Sequence, residues 1–214
     1  MDGKAALEKL IHMAGSTREK LFLGGTLLFS RKGYANVGIR ELCTFVGIKP
    51  SSFYNHFPSK EKLFDAILDH FSHQMARVVF TPEEREEMVA SGDVGFFLQR
   101  NMQKFAEISA NPVFFAILQI VQMECFTHER AFILARRHVY WTRKEYTEEV
   151  LARLMQRGAI KECDVAQVTA EYYYALKGLL DEFLLLVVWD QDTSGVMQKI
   201  QQHIAFFVQL LKKE

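Results

Sequence analysis

The sequence predicts an all-α fold of about nine or ten helices, with a three-helix N-terminal domain (1–62) and a larger helical body (63–214). Three observations carry this. Apolar residues recur at helical spacing, as in Ile39, Leu42, Cys43 and Val46. Capping residues precede these runs and glycines follow them. Only four prolines punctuate the 214 residues, and no stretch alternates apolar and polar side chains as a half-buried strand would. With 49% apolar and 13% aromatic residues, the chain has material for a core and lies far from a disordered composition.

The elements follow in order. Residues 1–15 carry Ala5, Leu7, Leu10 and Ile11 beside Lys4, Glu8 and Lys9. That is enough for an amphipathic turn or two, but the expectation is a frayed terminus rather than an arm in a minor groove. Ser16-Thr17-Arg18-Glu19 reads as a capping box, with Leu21, Leu28 and Phe29 on one face up to a stop at Gly33. Gly24-Gly25 breaks the helix-forming pattern and implies close packing, which we place against the recognition helix. A second helix starts after Gly38 and stops at Gly47; Pro50 suits the first turn of a third, where a missing N–H costs nothing. Further starts stand at Ser59, Thr81-Pro82-Glu83-Glu84, Asp93, Asn111-Pro112, Asp164 and Thr193 or Ser194, and Gly158 with Ile160 reads as a helix end.

Residues 39–57 are two short helices around a tight turn, Val46-Gly47-Ile48-Lys49. Ile39, Leu42, Val46, Ile48, Phe53 and Phe57 can share a core with Leu21, Leu28 and Phe29. Ser51, Ser52, Tyr54, Asn55 and His56 are left facing out, all small or hydrogen-bonding. A DNA major groove roughly 12 Å wide admits a helix with such a face. Short hydroxyls and an amide reach base edges there, while tyrosine, histidine and lysine reach phosphates.

The residues Thr17-Arg18, Phe29, Gly33-Tyr34, Ile39-Arg40-Glu41-Leu42, Val46-Gly47-Ile48, Phe53-Tyr54-Asn55-His56-Phe57 and Ser59-Lys60-Glu61-Lys62-Leu63 together resemble the tetracycline-repressor (TetR/AcrR) family of bacterial transcriptional regulators. The resemblance implies a helix-turn-helix DNA-binding head joined to a ligand-binding, dimerising body. It implies that Arg40 faces bases or phosphate, and that Pro50, Ser51, Ser52 and Asn55 lie at the groove-facing start of the recognition helix. Tyr54, His56 and Lys60 would then grip the backbone. Gly38 departs from the hydroxyl residue usual in the family, and Lys49 replaces a small polar cap and would add a phosphate contact.

The body is read from pattern. An aromatic-rich interior with embedded polar groups suits a small apolar or aromatic effector, with Gln119, Glu124 and His138 as the groups expected to orient it. The last two helices are the expected homodimer surface, through Gly178 at a close approach and the stripe containing Ile200, Ile204 and Phe207. Two-fold pairing also follows from the resemblance, because two recognition helices one DNA turn apart read a palindrome.

Other function classes fit less well. Ser51, Ser52 and His56 lack a carboxylate at triad-like spacing, so catalysis is not expected. Asp69 and His73 sit at i, i+4 without a third ligand, so neither metal nor cofactor is expected. A helical scaffold without DNA affinity is the alternative, but it would have no need of a basic head. Residues 1–60 hold nine Lys/Arg against four acids, an excess of +5 within a chain of net charge zero. Cys43, Cys125 and Cys163 are too few and too scattered for a disulfide framework. The longest apolar run, Phe183 to Trp189, is far short of the roughly 20 residues that span a bilayer. A cytoplasmic protein without membrane contact is the expectation.

Overall fold

The computed structural model describes residues 3–213, with side chains described from residue 5. Its described elements are helices α1 (Gly3–Met13), α2 (Thr17–Lys32), α3 (Ile39–Val46), α4 (Pro50–Phe53), α5 (Lys60–Ala76), α6 (Pro82–Ser91), α7 (Val94–Ser109), α8 (Pro112–Glu124), α9 (Glu129–Leu134), α10 (Thr142–Gln156), α11 (Val165–Val188) and α12 (Ser194–Leu211). A π-helical stretch, Ala135–Trp141, joins α9 to α10. An isolated bridge between Ile160 and Lys212 is the only β pairing among the described residues. The all-α class therefore holds, with more helical segments than expected. The additions include a helix in residues 3–13 and the short pieces around the π-helical stretch.

The chain forms two compact units. One is Met1–Ala76 with Glu107–His138, the other Arg77–Ala106 with Val139–Glu214. This division differs from the boundary at 62/63, because α8 and α9 pack with the N-terminal helices. In the first unit α2 touches α1, α3, α5 and α8. Surrounded in this way, it is buried nearly all round from Leu21 to Ser30 instead of along one stripe. Its two buried hydroxyls are satisfied within the helix, Thr26 donating to Phe22 O and Ser30 to Leu27 O.

Gly24 and Gly25 are explained by this crowding, but not through the recognition helix. A Cβ on Gly24 would lie 2.5 Å from Val46 Cγ1 of α3, and one on Gly25 3.0 Å from Leu63 Cδ2 of α5. The N-terminus also corrects the expectation. α1 is a packed helix, with Leu7 and Ile11 buried and α2 and α8 beside it. At the start of α2 only half the capping box forms. Ser16 Oγ accepts from Glu19 N, while the Glu19 carboxylate accepts from Gly15 N. At Thr81 and Glu84 both bonds of the box are present.

The second unit has its own core. Phe80 and Phe97 meet Tyr146, Val150 and Leu154 of α10, Tyr172 and Leu176 of α11, and Ile200, Ile204 and Phe207 of α12. Gly158, at φ 69°, ends α10, and the Ala159 N–H returns to Leu154 O at 2.9 Å. No single helix among the described residues is long and apolar enough to cross a membrane.

Gly24→Ala should destabilise the protein by about 1–3 kcal/mol, because Val46 must give way to the added methyl. Gly38→Ser, where a Cβ meets nothing within 4 Å, should instead gain a few tenths of a kcal/mol as a helix cap. Urea unfolding of both variants checks the opposite signs.

Candidate nucleic-acid interface

The corner between α3 and α4 is built by Gly47, left-handed at φ 74° and ψ 35°. Gly47 N–H bonds Thr44 O at 3.2 Å and Ile48 N–H bonds Cys43 O at 2.9 Å, which ends α3 sharply. Lys49 takes an extended cap conformation without a side-chain bond, and Pro50 opens α4. α4 is a single turn continued to Phe57, whose N–H bonds Phe53 O at 3.0 Å. Phe53 and Phe57 point inward and are buried. Arg40, Lys49, Pro50, Ser51, Tyr54 and Asn55 are exposed, with Ser52 and His56 half-buried beside them. The expected DNA-binding residues thus share one short, outward polar surface, Lys60 excepted.

Arg18 was not singled out as a site residue, yet α2 uses it to pin this surface. Its guanidinium donates to His56 O and lies 4.3 Å over the Phe57 ring. Its only sequence signal was its place in the resemblance.

Behind the surface lies a clasp around Gly33 and Tyr34. Gly33 has φ 79° and ψ 153°, a conformation that side-chain-bearing residues avoid. Tyr34 N–H donates to Glu124 Oε1 at 2.7 Å, and the second Glu124 oxygen accepts from Thr127 Oγ1 at 3.2 Å. Lys60 Nζ donates to Tyr34 O at 2.9 Å and Val37 O at 3.0 Å, and stands 4.2 Å from the Tyr34 ring centre. Two of its three donors therefore hold the α2–α3 connection, which leaves one for a phosphate.

The Tyr34 hydroxyl donates to Glu61 Oε2 at 2.6 Å, and the other Glu61 oxygen meets His128 Nε2 at 3.0 Å. Burial and the Glu61 carboxylate push the Tyr34 phenol up, while the Tyr34 hydrogen bond holds the Glu61 carboxyl below its ordinary range. Arg130 adds bonds from α9 to Asp65 and Asp69 of α5.

Comparison with known proteins agrees with this geometry. Residues 24–67 match the family model described as bacterial regulatory proteins, tetR family. A probable HTH-type transcriptional regulator, ArpR of Pseudomonas putida, is 25% identical over 177 residues, covering 81% of this chain and 82% of that protein. Residues 24–67 therefore carry a DNA-binding segment of the tetR type. The HTH-type transcriptional repressor DhaR of Mycobacterium sp. (strain GP1) is 31% identical over 62 residues, 29% of this chain and 31% of that protein. The solved structure of the ketosteroid transcriptional regulator KstR2 of Mycobacterium tuberculosis shares the fold, with a TM-score of 0.60 and 22% identity over 94% of this chain and 97% of that one. The matched segment is accordingly of the helix-turn-helix type that tetR-family transcriptional regulators carry.

Other tetR-family expectations meet a different geometry. Gln119 is half-buried on α8. Glu124 is committed to the clasp, so its carboxylate is not free to orient an effector. His138 is buried, its Nε2 3.3 Å from Ser72 Oγ, and burial pushes its imidazole toward the neutral form. No hydrogen bond or ring contact joins these three among the described residues.

Of the expected dimer residues, Gly178 is exposed with open space around it. Ile200, Ile204 and Phe207 are 1%, 3% and 6% exposed. A side chain covered by its own protomer presents nothing to a second copy, so these three are core residues. The exposed large apolar groups of the same helices are Tyr174, Leu185 and Val188 on α11, with Trp189 just past its end, and Met197, Phe206 and Leu210 on α12.

Tyr34→Phe removes the largest cause of the low Glu61 value. A depressed carboxyl stabilises the fold above its unfolded pKa and loses that contribution as pH falls through its folded value. The variant should therefore be less stable at pH 7, by less than about 1 kcal/mol because Glu61 is half exposed. The gap should close on acidification below about pH 4. Urea midpoints measured across that range check the sign.

Proposed function

We propose that the protein is a ligand-responsive repressor that acts in the cytoplasm. It binds palindromic operator DNA as a homodimer, and a small apolar or aromatic effector releases it. The observation that carries the reading is the surface from Arg40 to His56, where, exposed Phe45 apart, the groups not needed for the core are small, polar or basic. In this reading Ser51, Ser52 and Asn55 address base edges, while Arg40, Lys49, Tyr54, His56 and the remaining donor of Lys60 address phosphates. The name of DhaR as a repressor supports the direction of regulation.

Dimerisation would use the exposed apolar side of α11 and α12 around Gly178, Tyr174 and Phe206. A palindromic operator read in this way would have half-sites about 34 Å apart, one turn of DNA. The division into a DNA-binding segment, 1–62, and an effector-binding and dimerising remainder, 63–214, belongs to this proposal.

Fluorescence anisotropy with the DNA upstream of the protein's own gene tests the reading. Affinity should fall steeply with salt, Tyr54→Ala should weaken binding to all sequences alike, and Ser52→Ala or Asn55→Ala should change site preference. Absence of binding at low salt would overturn the regulator reading; unchanged preference in both variants would overturn the groove assignment. Phe206→Glu should shift sedimentation from dimer to monomer with the fold retained, and a dimer that persists would place the interface elsewhere.

A further inference from the structure

Arg143 of α10 is a buried cation, 6% exposed, in the second compact unit. An arginine does not shed its proton inside a protein, so a buried guanidinium needs an anion or a full set of acceptors. Arg143 has neither. One Nη donates to Asn101 Oδ1 at 2.7 Å, and that oxygen also accepts the Tyr146 hydroxyl at 3.0 Å. The guanidinium lies 4.9 Å from the Phe105 ring centre and 5.6 Å from that of Tyr173. Its Nε is buried and meets no acceptor, and among the described residues no carboxylate pairs with the side chain.

The surrounding groups also bond one another. Asn101 Nδ2 donates to Tyr173 Oη at 2.9 Å, and Tyr173 Oη lies 2.9 Å from Thr147 Oγ1. The aromatic faces and the single amide oxygen partly stabilise the charge, but they do not neutralise it. What is left is a buried planar cation whose Nε has no acceptor, set in a polar network beside the Phe105 and Tyr173 rings. A carboxylate is the group that answers such a donor, accepting from the Nε and supplying the missing negative charge.

We propose that Arg143 anchors a small organic carboxylate carried on an apolar or aromatic body. This deepens the effector reading above and rests on it. It also moves the site from Gln119, Glu124 and His138 to the network of Asn101, Phe105, Tyr146, Thr147 and Tyr173 around Arg143.

The test compares benzoate, phenylacetate and octanoate with their amides, benzamide, phenylacetamide and octanamide. Melting shifts and calorimetric titration are measured on the full chain, on Arg143→Met and on Arg143→Lys. Carboxylates alone should raise the wild-type melting temperature. Arg143→Met should bind them roughly 30-fold more weakly or worse, yet melt without ligand at or above the wild-type temperature, because it removes an uncompensated buried charge. Arg143→Lys should keep part of the affinity, having the charge without the fork.

Amides that bind as well as the acids, carboxylates that none of the proteins bind, or an Arg143→Met that melts well below wild type would each overturn the anchor. DNA affinity measured alongside separates the two readings. Carboxylate binding that leaves DNA affinity unchanged upholds the anchor and contradicts ligand response; amides that release DNA do the reverse.

Discussion

The Glu124 carboxylate accepts the backbone N–H of Tyr34 across 90 residues of sequence, and the first compact unit depends on that bond. It joins the end of α8 to the turn that leaves α2, so the helix-turn-helix is not a free module. The turn allows it because Gly33 has no side chain: a Cβ there would stand 3.2 Å from Glu124 Oε1. Lys60 closes the other side by drawing Tyr34 O and Val37 O onto one ammonium. The Tyr34 ring fills the centre of the clasp, 4.3 Å from the Phe64 ring centre.

From this anchor the reading surface follows. α2 is held on all sides, and its glycines let α3 and α5 approach closely. Arg18, from the first turn of α2, then fixes the end of the recognition turn by binding His56 O. The exposed face from Arg40 to His56 thus rests on buried Phe53 and Phe57 beneath a cation that is itself anchored. A site that must match base edges gains from such support, because rotations of the short helix would move every contact at once.

Much of this was legible in the sequence, since the signals were local. Pro50, Gly47, and the Thr81–Glu84 box act within a few residues of themselves, and each marks the boundary that the structure shows. Helical periodicity also identified the stripe on α12, but periodicity says which face is apolar and not what covers it. Here Tyr172 and Leu176 of the same chain belong to the core that covers it. The bonds that Glu124 and Lys60 make to the turn are not legible in the sequence for a related reason. Their roles depend on partners distant in sequence, and charged side chains are ordinarily read as solvent-facing or ligand-facing. Arg143 carried no motif at all, and only its burial without a counter-charge distinguishes it.

Hydrogen exchange of the Tyr34 amide tests the clasp most directly. In the wild-type protein this amide should be protected although it lies in a turn, and Glu124→Ala should accelerate its exchange while amides in the middle of α2, such as Leu27, stay protected. DNA affinity should fall in the same variant as the turn loosens. A Tyr34 amide that exchanges equally fast with and without the Glu124 carboxylate would contradict the account, because the head would then be held by something else.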